Sequence, residues 1–362
     1  MIFYIFIILF LIQCTIYTFF RYKIVRKTYL ETKKKYIEIP ISVIICAKNE
    51  EKFLKKYIPY IVNQNYKNFE IIVVNDASTD ETNNVLNKFK NLTVINLAES
   101  FGKKNALEVG IKHAKYEHLL FTDADCKPFS KNWISLMANE FSEKKQIIVG
   151  YGGYFQTKNF LNNLICYDSY MIALQYFTAI EFGFPYMCVG RNMAYTKTLW
   201  KNVNGFENHK KIKSGDDDLF LKEAATKKNI ATVLNKNSFT FSETKTSFND
   251  FLKQKSRHTT TAKYYSFSGI FFSTFEILTR ILFFILIILS IFFKHNIFII
   301  CILCILRFLY LYFITKKIRK IFNIKIGIIN YLFLDFCYPF FYVLLFGFNF
   351  INTINKIVKF KK

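Results

Sequence analysis

The chain is short of acidic charge. It carries 26 Asp+Glu against 50 Lys+Arg, a formal net charge of +24 over 362 residues. Such an excess suits either nucleic acid or an anionic membrane surface. No DNA- or RNA-binding motif accompanies it, so nucleic acid is not expected as a partner. The eight cysteines show neither a disulfide framework nor a zinc-ligand spacing. Cys14, Cys301, Cys304 and Cys337 lie in apolar runs, where a thiol packs as a small hydrophobe, and the C-x-x-C spacing of Cys301 and Cys304 falls inside one such run. Free thiols fit a reducing compartment and hence a cytoplasmic domain. A signal-peptide pattern is also missing. No positive charge precedes the apolar run Ile2 to Phe20, and no small-residue cleavage site follows it.

What the chain does have is apolar sequence at both ends and an ordinary soluble pattern between. Ile2 to Phe20 is long enough to span a bilayer. Arg21, Lys23, Arg26, Lys27, Lys33, Lys34 and Lys35 follow it, which predicts an uncleaved anchor with its C-terminal side in the cytoplasm. Three further apolar runs, Ile270 to Phe293, Ile297 to Ile314 and Ile326 to Phe350, close the chain. Glu276 and Arg280 have the i,i+4 spacing of a helical pair, expected at headgroup level. Arg307 and Asp335 pair with each other, meet lipid phosphate, or snorkel to an interface. Three full spans after the anchor would put Lys356, Lys359, Lys361 and Lys362 outside, against the positive-inside rule. A re-entrant hairpin bent at Pro339 would return the tail to the cytoplasm.

The expected organisation is therefore an anchor at 1–20, a basic juxtamembrane linker at 21–39, a catalytic domain at 40–244 and an interfacial amphipathic segment at 245–268. A membrane region of two or three spans at 269–350 and a basic tail at 351–362 complete it. The protein is expected in the cell (inner) membrane as a multi-pass protein with its catalytic domain cytoplasmic.

Between Pro40 and Thr244, short apolar runs alternate with helix-like stretches. Strands are expected at Ile41 to Cys46, Phe69 to Val74, Leu92 to Leu97 and His118 to Thr122. Helices are expected at Glu50 to Asn63, Asp80 to Phe89, Lys103 to Ala114 and Leu219 to Ala225. This alternation predicts an α/β domain with a mostly parallel sheet covered on both faces. In such sheets ligands bind beyond the carboxyl ends of the strands, where the candidate residues fall.

The first strand ends in Ala47, Lys48, Asn49, Glu50 and Glu51, placed to touch a nucleotide or to start a helix. The second ends in Asn75-Asp76 and runs to Asp80; Asp76 can accept hydrogen bonds from a base or ribose, or cap a turn. Gly102-Lys103 opens a helix and suits an anionic phosphate, or a solvated basic turn. Asp123-Ala124-Asp125 follows the fourth strand directly. Two carboxylates one residue apart at a strand end can grip magnesium or manganese and bridge it to diphosphate oxygens. Asp216-Asp217-Asp218 precedes a helix, whose dipole favours acids there; one of the three can serve as a general base. Gln254, Arg257 and His258 lie in the basic stretch before the last apolar runs, with Arg257 facing diphosphate or lipid headgroups.

Together, in this order, these elements resemble the inverting family-2 glycosyltransferases of GT-A fold over residues 40 to 258. The resemblance implies a donor site at Ala47, Asn49, Glu50, Asp76, Lys103, Asp123 and Arg257. It implies a metal site at Asp125 with Asp123, holding Mn2+ or Mg2+. The segment Gly190-Arg191-Asn192 with Gly205-Phe206 resembles the acceptor side, giving Gly190 and Asn192 as acceptor residues. The catalytic base falls at Asp217 or Asp216, with Asp217 preferred. The chain departs from the family at Cys46, where Pro is frequent, and at the triple acid, where Glu-Asp is usual. It has Gln254-x-x-Arg257-His258 where processive members have Gln-x-x-Arg-Trp, which argues against a polymer-extruding synthase. The implied reaction moves a sugar from a nucleotide-sugar donor, a UDP-sugar favoured, to a membrane-associated glycan or lipid-linked acceptor. A polyprenyl-phosphate glycosyltransferase and a non-catalytic nucleotide-sugar-binding scaffold are the alternatives.

Overall fold

The computed structural model describes residues 2–31, 38–212 and 214–360, with side chains left undescribed at Ile2, Glu31 and 355–360. Lys33, Lys34, Lys35, Lys361 and Lys362 lie outside these residues, as do the side chains of Lys356 and Lys359. Ten strands run in chain order: β1 Ile41–Ala47, β2 Phe69–Asn75, β3 Thr93–Asn96, β4 His118–Asp123, β5 Lys127–Pro128, β6 Ile147–Val149, β7 Gly152–Tyr154, β8 Met193–Thr196, β9 Ile230–Thr232 and β10 Thr240–Ser242. The helices are α1 Ile2–Glu31, α2 Glu51–Val62, α3 Thr82–Leu86, α4 Lys103–His113, α5 Trp133–Ala138, α6 Phe160–Phe182, α7 Lys197–Asn202, α8 Asp218–Ala224, α9 Phe248–Thr259, α10 Phe267–Phe292, α11 Ile297–Ile321 and α12 Ile328–Phe360.

Seven strands form one sheet in the order β3-β2-β1-β4-β8-β6-β9, and β5-β10-β7 form a second. The β3-β2-β1-β4 half is parallel, while β8 runs antiparallel to both β4 and β6. This is the α/β sheet the alternation predicts. The strands alternate as a pleat requires. Val43 and Ile45 face one core with Leu54, Ile58 and Trp133, whereas Ile44, Ile72 and Val74 face the other with Ala106 and Ile111. Gly110 lets α4 sit close on the sheet, because a Cβ there would stand 2.8 Å from Ile44 Cγ2. The α3 segment is shorter than expected, ending at Leu86.

The second core does not stop at the catalytic domain. It runs through α6 into Tyr17, Phe20 and Ile24 of α1, Leu311, Ile318 and Phe322 at the end of α11, and Tyr331, Leu334 and Tyr338 of α12. A helix apolar all round must be buried all round, and α6 is: the sheet lies on one side and the apolar helices on the other. Among the described residues four helices are long and apolar enough to cross a membrane: Phe3–Leu30, Phe267–Phe292, Ile297–Ile321 and Ile328–Ile354. Their outward residues, Leu11, Ile288, Phe298 and Phe336 among them, are exposed apolar groups that need lipid rather than water.

One expectation is corrected here. The last run is not a hairpin bent at Pro339: α12 continues through it as one helix. A proline removes one helical hydrogen bond, and the flanking Tyr338 and Phe341, both buried, hold the helix through the gap. Glu276 and Arg280 do pair, and the pair is enclosed by protein, at 2% and 0% exposed. Arg280 donates to Glu276, to Tyr17 and, at 3.2 Å, to Tyr167, and it lies 2.9 Å from Asp335. Arg307 closes the same network at 2.5 Å from Asp335 and 2.5 Å from Gln13 Oε1. Two arginines and two acids thereby tie α1, α6, α10, α11 and α12 together.

Candidate active site

A cleft of about 660 Å3 opens beyond the carboxyl ends of β1, β2 and β4. On its first wall, Lys48 donates to Ser100 at 2.7 Å and Ser100 donates to Asp76 Oδ2 at 2.8 Å. Asp76 is 4% exposed, and its second oxygen, Oδ1, has no partner. A buried carboxylate oxygen left unpaired calls for a donor, which a ligand's hydroxyl or amide in the cleft would supply. Ala47 and Glu50 line the same wall. Asn49 does not face the cleft. In the left-handed region at φ 57, it accepts from Thr79 N–H at 2.8 Å and pins the β2–α3 turn.

At the end of β4, ligand atoms of Asp123, Asp125 and Cys126 lie within 4.8 Å of one another. Burial, then the charge of Asp123, raises the Asp125 carboxyl. Burial, followed by Asp125 and Asp123, pushes Glu50 up to about 7. Crowded carboxylates of this kind fit a hard divalent cation. Burial and then Asp125 hold the Cys126 thiol protonated, so it donates to Asp125 at 3.4 Å and makes a poor ligand for such an ion.

Lys103 opens α4, and its ammonium bridges Asp123 at 2.9 Å and Asp216 at 2.8 Å. Gly102, at φ 92, turns the chain into that helix. The three consecutive acids have three different surroundings. Burial alone would raise Asp216, but the Lys103 ammonium outweighs it and holds the carboxyl low. Asp218 accepts from Thr261 Oγ1 at 2.5 Å and Tyr265 OH at 2.6 Å, which fastens α8 to the segment entering α10. Asp217 accepts from two backbone groups only, Gly190 N–H and Asp218 N–H, each at 2.8 Å. Burial, then Asp216 and Asp218, pushes it up to about 8.

The far wall is α9, started by a Ser247 cap. This helix, within the expected interfacial segment, turns Gln254, Lys255, Arg257 and His258 to the cleft and stacks Phe251 on Phe341 of α12 at 5.0 Å. Lys255 pairs with Asp168 at 2.8 Å, and Tyr342 donates to the same carboxylate at 2.9 Å. Burial, followed by Lys255 and Arg257, drives His258 down to about 3, so it stays neutral. Ile172, Tyr176, Met187, Val189 and Tyr265 give the cleft an apolar side next to the membrane helices.

The structure thus brings Ala47, Glu50, Asp76, Lys103, Asp123, Asp125, Gly190, Asp216, Asp217 and Arg257 to one cleft. Asn192 is not among them. It is 0% exposed, with its amide donating to Tyr151 O and Ser238 O and accepting from Trp133 Nε1. An asparagine satisfied on every side is a core residue, so it is no acceptor contact. Sequence reasoning missed Ser100, Asp168 and Lys255, and named Lys48 and Arg191 only as members of their motifs, without a role. Arg191 donates twice to Gly152 O, at 3.0 and 2.7 Å, and lies over the Tyr154 ring at 4.4 Å.

Residues 42–201 match the family described as glycosyl transferase family 2. The chain is 34% identical over 122 residues to an uncharacterized glycosyltransferase of Haemophilus influenzae, covering 32% of this chain and 36% of that one. It is 29% identical over 126 residues to a UDP-Glc:alpha-D-GlcNAc-diphosphoundecaprenol beta-1,3-glucosyltransferase of Escherichia coli, covering 33% and 48%. The match therefore spans less than half of the length of either relative. Its fold resembles that of a Pyrobaculum calidifontis mannosyltransferase solved with GDP-Man and Mn2+, with TM-score 0.59, 15% identity and coverage of 94% of this chain and 99% of that one.

Proposed function

We propose, from the premise that residues 42–201 are a family-2 glycosyltransferase domain of GT-A fold, that the chain transfers a sugar with inversion from a nucleotide-sugar to a lipid-linked or glycan acceptor at the cytoplasmic face of a membrane. The observation that carries this reading is the sorting of the acids at 216–218. One is neutralised by Lys103, one is fastened by Thr261 and Tyr265, and Asp217, which meets no side-chain partner, is pushed up to about 8. That is what a general base needs.

In this reading the nucleoside lies along β1 and β2, with Asp76 Oδ1 accepting from base or ribose. Asp125 and Asp123 would hold a divalent cation, which when bound neutralises the diphosphate leaving group. Lys103 and Arg257 bring positive charge to the same diphosphate from opposite walls. Asp217 takes the proton of the acceptor hydroxyl, whose oxygen bonds to the anomeric carbon as the bond to the diphosphate oxygen breaks. The products are an inverted glycoside and a nucleoside diphosphate. The apolar side of the cleft suits an acceptor carried on a lipid. A UDP-sugar is the favoured donor, because the Escherichia coli relative is named for UDP-Glc, while the structural neighbour holds GDP-Man.

The test is nucleotide release from UDP-, GDP- and dTDP-sugars by detergent-purified protein, with Mn2+, Mg2+ or chelator. Metal-dependent turnover of one donor, lost on Asp125→Ala, is expected; no turnover and no donor binding under any condition would sink the proposal. A second expectation concerns protons. Glu50, pushed up to about 7, is partly protonated at neutral pH, and a cation beside it lowers its affinity for that proton. Mn2+ binding should therefore release protons and tighten as pH rises through that range. Calorimetry in two buffers of different ionisation enthalpy would read the release, which should shrink in Glu50→Gln.

A further inference from the structure

Among the described residues four helices are long enough to cross a membrane; α1 and α10 also touch the catalytic domain, at Tyr17, Lys23 and Arg280, but α12 does so over the longest stretch. The other three pack along one another: Phe6 of α1 stacks on Phe283 of α10, and Gln13 and Thr18 of α1 meet Arg307 and Tyr310 of α11. Helix α12 meets α11 at Tyr331 and Asp335 and α10 at Phe336 and Phe340. Along the same stretch it stays on the catalytic domain. Just before it begins, Lys325 N–H donates to Gln156 at 2.8 Å. Tyr338 then packs on Tyr167 at 5.3 Å, Phe341 on Phe251 at 5.0 Å, and Tyr342 donates to Asp168 at 2.9 Å. Near the far end, Asn349 donates to Thr259 at 3.1 Å.

From Tyr331 to Asn349 a helix advances about 27 Å, close to the hydrocarbon thickness of about 30 Å. A span across the bilayer would leave a domain seated on one side within a turn or two, and α12 does not leave it. Its face at Tyr331, Leu334, Tyr338, Phe341 and Leu345 is buried. The opposite face, at Leu332, Phe336, Phe340, Val343 and Phe346, is exposed and wholly apolar. That face continues the lipid-facing surface of α10 through the contact of Phe284 with Phe336.

We propose that α12 lies in the plane of the membrane interface, with one face on the catalytic domain and the other in lipid, so that its C-terminal end stays on the catalytic domain's side. The lipid bilayer is the occupant of the exposed face. In sequence the chain past Ile354 carries four lysines, and the positive-inside rule favours keeping such a tail on the side of Arg21, Lys23, Arg26 and Lys27.

Labelling by a membrane-impermeant maleimide in oriented proteoliposomes of the full chain tests the side, scored above the background of the native cysteines. Thr353→Cys should be labelled from the same side as Lys88→Cys in the catalytic domain and opposite to Lys294→Cys in the α10–α11 turn. Labelling from the Lys294 side, or from neither, would overturn the proposal. Phe340→Trp tests the occupant against two native tryptophans that lie within the catalytic domain. Quenching by lipids brominated near the headgroup is expected. Absence of quenching would mean that a second copy of the chain, not lipid, covers the face, and would equally overturn it. Neither readout depends on the transferase reading.

Discussion

Asp217→Asn is expected to lower kcat by about 10²- to 10⁴-fold while donor affinity stays unchanged. The asparagine keeps the shape and still accepts from Gly190 N–H, but it takes up no proton. In the wild-type protein the same group sets the pH dependence. A base works deprotonated, so kcat/KM should climb as pH rises and level off above about 8, the value at which Asp217 loses its proton in the free protein. The Asn variant should lose that limb. Asp216→Asn should behave differently. It removes one of the two carboxylates holding the Lys103 ammonium, so the loss should fall on donor binding and KM. Initial rates over a pH series for the three proteins, with donor binding measured separately, check this. Full transfer by Asp217→Asn would point to an acceptor that arrives ionised, as a lipid phosphate does, and would remove the base from the mechanism.

Asp335→Leu is expected to destabilise the folded protein by about 3 to 5 kcal/mol. Asp335 is 3% exposed and lies against both Arg280 and Arg307. Removing it leaves Arg280 with Glu276 and leaves the buried Arg307 guanidinium with Gln13 Oε1 and no acid. Thermal unfolding in detergent should show the loss as a clear drop in Tm. Because the penalty comes from an uncompensated buried charge rather than from a missing bond, Asp335→Leu combined with Arg307→Leu should recover part of it. A single variant as stable as the parent would mean that lipid headgroups or water reach the arginines. The network also bears on function. Asp335 sits on the helix whose Tyr342 holds Asp168, and Asp168 holds Lys255 in the cleft.

Much of this was legible in the sequence. A run such as Ile41 to Cys46 is apolar at every position because a central parallel strand is buried on both faces, and Asp123-Ala124-Asp125 stood out because acids directly after such a strand need a use. The long apolar runs declared themselves by length. The misreadings came where several partners compete for one residue type. Asn192 sits in a polar-looking turn, and nothing in its neighbours tells that Tyr151, Ser238 and Trp133 will satisfy it. Helix α9 is basic on one face, a pattern shared by lipid-binding helices and by the walls of an anion cleft. Helix α6 carries Asp168 within an apolar stretch, so its role between sheet and membrane helices did not show as a period.

By itself the sequence determined the α/β alternation, the places where strand ends present acids and lysines, and the stretches too apolar for water, since each depends on local composition and spacing. The tertiary structure decided which of Asp216, Asp217 and Asp218 meets no side-chain partner, because that turns on Lys103, Thr261 and Tyr265 arriving from distant segments. It also decided what Pro339 does to its helix and which face of α12 meets protein. Burial and charge pairing act through space, and a chain fixes those distances only once it has folded.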